Sequence, residues 1–337
     1  MGFVDSVLMS TSEETAKIDV STLIIDLSER VPDPQPIVRL WGNLIASRGN
    51  ISAVVGLAKS RKTFLTCAVA SGFLADAEFL GFDAPAMGRV LYIDTEQSRP
   101  HVHKIARRIL RSIGLPTDRN HDKLIVAALR ELTPDQRKEA TAEILRRYKP
   151  DLVILDGVAD LCNDPNDLHE SEALTCELMR WSSEYDNHIL CVLHSNPGSD
   201  KARGHLGSAL LRKAETVMLV KADGATSVVS PQYCRNEPFT EFAFQIDANG
   251  LPEACGLPVP QPKEDVFAEV MERGKVYAHS ELVALIMDAA DLKEGSAKSK
   301  ISRAVKAGLV VKNQAGGYYL PGSQIEAAQS EFSDEPF

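Results

Sequence analysis

The chain has 337 residues, 44% hydrophobic and 25% charged, which fits about two or three globular domains and excludes a wholly disordered or collagen-like chain. Lys and Arg number 37 against 47 Asp and Glu, a net charge of −10, so the chain as a whole does not coat nucleic acid indiscriminately, while a local basic patch stays open. No apolar run reaches the roughly 18 residues that span a membrane, and six scattered cysteines with no C-x-x-C pair read as small buried hydrophobes of a cytoplasmic protein.

Residues 1–38 read as an N-terminal arm and linker, closing on Pro32-Asp33-Pro34-Gln35-Pro36, which cannot continue a helix. From about residue 50 a regular alternation begins. A strand at 51–55 stops at Gly56 and leads to a helix over 63–75. A strand at 90–93 follows, then a basic helix over 99–113, a strand at 124–128 and a charged helix over 134–148. Strands at 152–155 and 189–193 flank a helix over 169–185. Continuous β-branched runs alternating with helices predict strands buried on both faces, hence an α/β domain with a mostly parallel sheet, spanning 39–255. Segments 217–220, 226–229 and 242–246 read as antiparallel strands at its edge, with a turn at Asp223-Gly224. A second linker, Leu257-Pro258-Val259-Pro260-Gln261-Pro262, leads to helical patterns at 264–273, 280–290 and 296–307 and strands at 309–312 and 317–320. That order over 264–322 predicts a small winged-helix domain. Residues 323–337 form an acidic tail.

Gly56-Leu57-Ala58-Lys59-Ser60-Arg61-Lys62-Thr63 lies between a strand and a helix, the context a phosphate loop needs. Backbone N–H groups and the helix N-terminus surround the phosphates of ATP, Lys62 reaches the outer phosphates and the Thr63 hydroxyl ligates Mg2+. The binding segment runs on to Phe64. The pattern asks for Gly where Arg61 stands, so this side chain either crowds the loop or joins Lys59 and Lys62 in holding triphosphate. The strand at 152–155 ends in Asp156, placed to organise magnesium or simply to cap a turn. Gly157 follows it, so the base that activates water is not its neighbour. Glu96, at the end of another strand, is the candidate, because carboxylates at C-terminal strand ends converge on the ligand crevice of an open sheet. Asp94 reads as a turn residue. Trp41 either closes the core or stacks near a nucleotide.

In this order, the phosphate loop, Glu96, Asp156 and His194-Ser195-Asn196 resemble the RecA-like class of hexameric helicases, RepA-type ATPases in particular. Lys201-Ala202-Arg203-Gly204-His205-Leu206-Gly207-Ser208 and Arg212-Lys213-Ala214-Glu215 are similar to AAA-family ATPases of bacterial mobile genetic elements, whose phosphate loop also tends to read Lys-Ser-Arg-Lys-Thr. The resemblance covers about residues 38–250. It implies a RecA-like P-loop core, ATP hydrolysis with Mg2+ and a homo-oligomer such as a hexamer. It also implies that His194 senses the γ-phosphate and that Lys201 or Arg203, on a mobile loop, reaches a neighbouring subunit's site. The residues alone also allow a capped strand end at His194 and a solvated basic loop at 199–205.

From Lys293 to Lys312 six bases face the single acid Glu294. The helix at 296–307 is therefore expected to meet DNA phosphates through Lys298, Lys300, Arg303 and Lys306, a protein contact or a merely solvated face being the alternatives. The tail Glu331-Phe332-Ser333-Asp334-Glu335-Pro336-Phe337 resembles the acidic tips of bacterial single-stranded-DNA-binding proteins, or serves solubility alone. The expectation is an ATP-hydrolysing DNA motor of a mobile element, a helicase or a replication or mobilisation ATPase. Its partners would be single- or double-stranded DNA and replication or mobilisation proteins, with no membrane involved. An ATP-switched DNA-binding regulator with slow hydrolysis, or a RecA-like signalling ATPase or kinase that does not bind DNA, are the other readings.

Overall fold

The structure, a computed structural model, describes residues 19–75, 77–85, 88–258 and 266–322. The acidic tail and the first 18 residues of the arm lie outside them. The chain divides into two compact units between Leu257 and Pro258.

Among the described residues before the first strand there is one 3-10 turn, Val20–Leu23. Pro36, expected in the linker, already opens β1 (Pro36–Leu40), which pairs with β2 (Asn43–Ser47) across a two-residue turn. Trp41 and Gly42 both have positive φ there, 44° and 83°, as a type I′ hairpin requires. The hairpin was not expected, because Trp occupies a position where Asn or Gly is the usual sign. Next come β3 (Asn50–Gly56), α1 (Lys62–Leu74), β4 (Phe82–Asp83), β5 (Val90–Asp94), α2 (Arg99–Ser112), β6 (Leu124–Ala128) and α3 (Pro134–Tyr148). They are followed by β7 (Leu152–Asp156), α4 (Leu168–Glu184), β8 (His188–His194), α5 (Gly204–Lys213), β9 (Thr216–Asp223), β10 (Thr226–Cys234), β11 (Phe242–Ile246) and β12 (Pro252–Cys255).

The main sheet runs β12-β11-β10-β9-β3-β8-β7-β5-β6. Its strands from β9 to β6 are parallel, and β10, β11 and β12 extend it antiparallel. The antiparallel expectation for 217–220 is corrected in part. β9 lies parallel to β3, from Ala53 opposite Val217 to Gly56 opposite Val220, and only after Gly224 (φ 55°) does the chain reverse into β10.

Alternate residues of each parallel strand feed two cores. Val54, Tyr92, Ile154 and Val192 pack with Leu65, Phe73 and Ile105 of α1 and α2. Ala53, Val55, Ile93 and Leu155 pack with Leu145, Leu178, Trp181 and Leu210 of α3, α4 and α5. Both faces are covered, which is why these strands read as unbroken apolar runs. The result is a RecA-like P-loop core. Because β8 stands between β3 and β7, whatever ends β8 is delivered between the groups that end its neighbours.

The second unit holds α6 (Val266–Val270), α7 (His279–Ala289), α8 (Glu294–Lys306) and the pair β13 (Val311–Lys312) and β14 (Tyr318–Tyr319). Leu282 and Ile286 of α7 meet Ile301 and Ala304 of α8 around Phe267, Tyr277 and Tyr318. Cys67, Cys162 and Cys191 are buried as expected, whereas Cys176 is exposed and Cys234 and Cys255 are half-buried. Among the described residues no helix is long and apolar enough to cross a membrane.

Candidate functional site

At the end of β3 only glycine fits, since a Cβ on Gly56 would meet the Val220 carbonyl and Ser60 Oγ. The chain then turns through 57–61 into α1, with Lys59 (φ 65°) and Arg61 (φ 68°) left-handed. This is the physical reason a glycine is usual at position 61, because a residue with a Cβ pays about 1–2 kcal/mol for that conformation. Arg61 offsets the cost with its side chain. The guanidinium donates to the carbonyls of Gly224 (2.8 Å) and Thr226 (3.0 Å) and to Ser227 Oγ (3.1 Å). Ser227 Oγ in turn donates to the Ser60 carbonyl at 3.2 Å. The Arg61 side chain thereby pins the loop to the β9–β10 turn. Phe64 ends the segment expected to bind nucleotide. Its ring lies 3.9 Å under the Arg108 guanidinium and its N–H donates to the Arg61 carbonyl (3.0 Å). Leu57, Ala58 and Lys59 are exposed and Ser60 is buried. Trp41, 40% exposed, packs edge-on against Phe242 (4.9 Å).

Lys62 begins α1. Its Nζ donates to the carbonyls of Gly56 and Leu57, both at 2.9 Å, and lies 3.2 Å from His194 Nδ1. An ammonium has no acceptor, so His194 Nδ1 accepts and Nε2 carries the ring proton, which it donates to Glu96 Oε1 at 3.3 Å. A hydrogen-bonded chain Lys62–His194–Glu96 thus spans α1, β8 and the turn after β5. Burial lowers the Lys62 pKa, opposed by the charges of Asp156 and Glu96. The His194 bond outweighs burial and holds the Glu96 carboxyl below its usual range, so it is ionised at neutral pH. Asp94 serves the turn, accepting from the N–H groups of Glu96 (3.0 Å) and Gln97 (2.6 Å).

Asp156 Oδ2 accepts from Thr63 Oγ1 (3.0 Å) and the Tyr92 hydroxyl (2.8 Å). Burial pushes this carboxyl up to about 6, against the two hydroxyl bonds. Tyr92 escaped the sequence reading; the available signal was one hydroxyl in an otherwise aliphatic strand. Thr95 Oγ1 lies 2.9 Å from the Gly157 carbonyl and 2.8 Å from Asp160 Oδ2, filling the space a Cβ at Gly157 (φ 97°) would need. That explains why glycine and not glutamate follows Asp156. The neighbouring Thr63 hydroxyl and Asp156 carboxylate are hard oxygen donors. They fit Mg2+, which commonly takes one or two protein oxygens plus substrate phosphates. Among the described residues no cluster of three or more His, Cys, Asp or Glu offers a metal cage.

The loop after β8 differs from the mobile loop expected. Ser195 bridges to Ala202, the Asn196 N–H donates to the Lys201 carbonyl (2.9 Å), and the Arg203 N–H donates to the His194 carbonyl (2.8 Å). Lys221 Nζ meets Asp200 Oδ2 at 2.7 Å and Gln232 Nε2 donates to the Asp200 carbonyl at 2.8 Å, so the turn is clamped to β9 and β10. Lys201 and Arg203 are exposed, and among the described residues no hydrogen bond joins either side chain to the Lys62–His194–Glu96 chain. On α8, Lys298, Arg303 and Lys306 are exposed and Lys300 is half-buried. Lys298 pairs with Glu294 at 2.6 Å.

Residues 14–200, more than half of the chain, match the family model described as AAA domain. No curated protein matches the chain.

Proposed function

The chain belongs to the AAA domain family, and from that premise we propose that this nucleotide-binding ATPase is a DNA motor of a mobile genetic element. In this reading it is a RepA-type helicase or a replication or mobilisation ATPase, working in the cytoplasm as a homo-oligomeric ring. The observation that carries the catalytic part is the Lys62–His194–Glu96 chain beside the Thr63–Asp156 pair.

Magnesium, when bound, would supply positive charge against the negative charge that develops on the phosphates. Thr63 and Asp156 would hold it. Lys62 is the buried cation at the loop, satisfied by two carbonyls that it exchanges for phosphate oxygens. Glu96, ionised and half-exposed, takes the proton of the attacking water as general base. His194 orients Glu96 through Nε2–H and is linked to Lys62 through Nδ1, so a change at the lysine is passed to the base, as expected of a γ-phosphate sensor. Lys201 or Arg203 supplies the finger that completes a neighbour's site, its clamped loop acting as a rigid mount. The 264–322 unit is read as a winged helix, with DNA phosphates met by Lys298, Arg303 and Lys306 and, from the side, Lys300.

Steady-state ATPase assays with no DNA, single strands and duplex test the whole reading. Stimulation by DNA together with strand separation is expected. DNA binding with negligible turnover selects the ATP-switched regulator, and no DNA affinity selects the signalling ATPase. Mixing Lys62→Ala subunits with Arg203→Ala subunits tests the shared site. A finger contributes a rate factor on the order of 10³, so restored activity is easily seen, and its absence removes the ring.

A further inference from the structure

The β6 edge of the parallel sheet carries a groove of about 940 Å3. One wall is α2, the floor is β6, paired only with β5, and the segment 117–122 closes the other side. Three strands, β8, β7 and β5, stand between β6 and β3, so the groove is distinct from the phosphate loop.

Arg89, Arg99, Arg107, Arg119 and Arg147 all line the groove, against Asp118 and Asp122. Among the described residues none of these arginines is in an ion pair. Elsewhere on the same unit helical bases are answered locally, as in Lys138–Asp135 (2.8 Å) and Arg180–Glu184 (2.9 Å). The contrast is sharpest on α3, where Arg146 pairs with Glu143 at 2.7 Å while the adjacent Arg147 lines the groove. The 14 residues of α2 include five Lys or Arg and no acid. A chain of net charge −10 has acids to spare, and like charges gathered without them repel one another unless an anion joins them.

We propose that this groove binds the phosphodiester backbone of a nucleic acid. The guanidinium fork matches phosphate oxygens two at a time. The wall provided by α2 is about 21 Å long, enough for several successive phosphates rather than one. Half-buried Val126 on one face of β6 and Ile125 and Ala127 on the other give the edge apolar side chains, and Tyr148, with Arg147 5.5 Å over its ring, offers a stacking face at one end. The ring of positive charge opposes pairing of this open edge with a second copy of itself. This surface goes beyond the proposed function, whose DNA contacts lie on α8.

The test uses the full chain and two fluorescent probes, an oligothymidylate of about 20 nucleotides and a duplex of the same length, titrated from about 50 to 200 mM salt. Arg99, Arg107 and Arg147 are changed together to Gln, in the parent and in a Lys298→Ala, Lys300→Ala, Arg303→Ala background. At least ten-fold weaker binding, and a salt slope smaller by up to about two (roughly 0.7 per lost single-strand phosphate contact), is expected in both backgrounds, with an unchanged melting temperature. A second variant, the same three positions changed to Lys, keeps the charge and should keep most of the slope. Loss with the oligothymidylate alone marks a single-strand groove; equal loss with the duplex marks a duplex contact, and either supports the proposal. Unchanged affinity and slope in both backgrounds overturns it, as does displacement of the oligothymidylate by poly-glutamate at equal charge, which would mark an acidic-peptide site. An effect of the α8 variant alone overturns the groove and leaves the α8 reading standing; an effect of the groove variant alone does the reverse.

Discussion

His194 and Glu96, at the C-terminal ends of the parallel strands, are 42% and 48% exposed and hydrogen-bonded at 3.3 Å. His188 and Glu215, at the opposite end, approach to 3.8 Å and are 0% and 6% exposed. The residue types are the same. What differs is how their hydrogen-bonding capacity is used. Glu215 accepts from the Ser47 N–H, Ser47 Oγ and Asn236 Nδ2, each at 2.9 Å, which ties β2 to the start of β9. Glu96 accepts from His194 and is otherwise open to solvent, so it has room for a water. A carboxylate filled with donors is a fastener, and one left half-filled beside a buried lysine can do proton chemistry.

Removing the carboxylate charge at the open end gives the largest expected effect. Glu96→Gln keeps the shape and deletes the base, so turnover should fall by about 10² to 10⁴. Nucleotide affinity and melting temperature should stay close to the parent's, by fluorescent-nucleotide titration and calorimetry. Normal turnover in that variant would place the base elsewhere. The closed end should respond in the opposite currency. Glu215→Ala leaves the three donors of Ser47 and Asn236 without their acceptor, at a cost of roughly 3 kcal/mol or more, read from urea unfolding. ATPase activity per folded molecule should not change; if it falls, the two ends are coupled and the comparison breaks.

The phosphate loop belongs to both regimes, because its outer side is open and its inner side is fastened. Arg61→Ala loses three hydrogen bonds and keeps the left-handed strain, whereas Arg61→Gly loses the bonds and relieves the strain. The alanine variant should be the less stable by about 1 kcal/mol. Both should bind nucleotide within a few-fold of the parent, since the guanidinium is turned to the β9–β10 turn. A ten-fold weaker affinity in either would mean that the side chain reaches the triphosphate after all.

That arrangement also marks where sequence reading stops. The alternation from β3 to β8 was legible, because strands buried on two faces are continuous apolar runs and the helices between them carry their own periodicity. Lys62 and Thr63 could be nominated from the loop between a strand and a helix and Glu96 and Asp156 from strand ends, whereas His194 came only from the family resemblance; the fold places all five together. The partner of Arg61 could not, since Gly224 lies 163 positions away and no local pattern encodes which turn will meet the loop. The direction of β9 was hidden for a similar reason: an apolar run has the same period whichever way it pairs. α5 was hidden because no helix was read over 204–213, where its buried Leu206, Ala209 and Leu210 follow directly on the segment read as a basic loop.

The smallest effect concerns protons at the closed end. His188 Nδ1 lies 2.8 Å from the Ser47 carbonyl, so that nitrogen carries the hydrogen. Nε2 is buried with no hydrogen-bond partner among the described residues. The other groups facing this region are Glu215, which favours the charged ring, and the neutral Asn187. Burial outweighs the Glu215 charge and the Ser47 bond, and the His188 pKa is lowered from the ordinary 6.5. The unfolded chain therefore binds this proton at a higher pH than the folded one. Stability from this group is present above about pH 6.5 and is lost as pH falls below it, by up to about 1.4 kcal/mol per pH unit until the folded ring also protonates. Asp156 acts in the other direction. Its carboxyl, raised to about 6 from 3.8, holds a proton in the folded state that the unfolded chain releases, so it favours folding below about pH 6. The two contributions oppose each other in the parent and its pH profile alone is uninformative. The difference between parent and His188→Gln isolates the histidine. In urea unfolding without nucleotide or magnesium, that difference should shrink as pH falls from about 7.5 to 5.5. A difference independent of pH would show that His188 takes up its proton equally in both states, and that the closed end is less sealed than its burial implies.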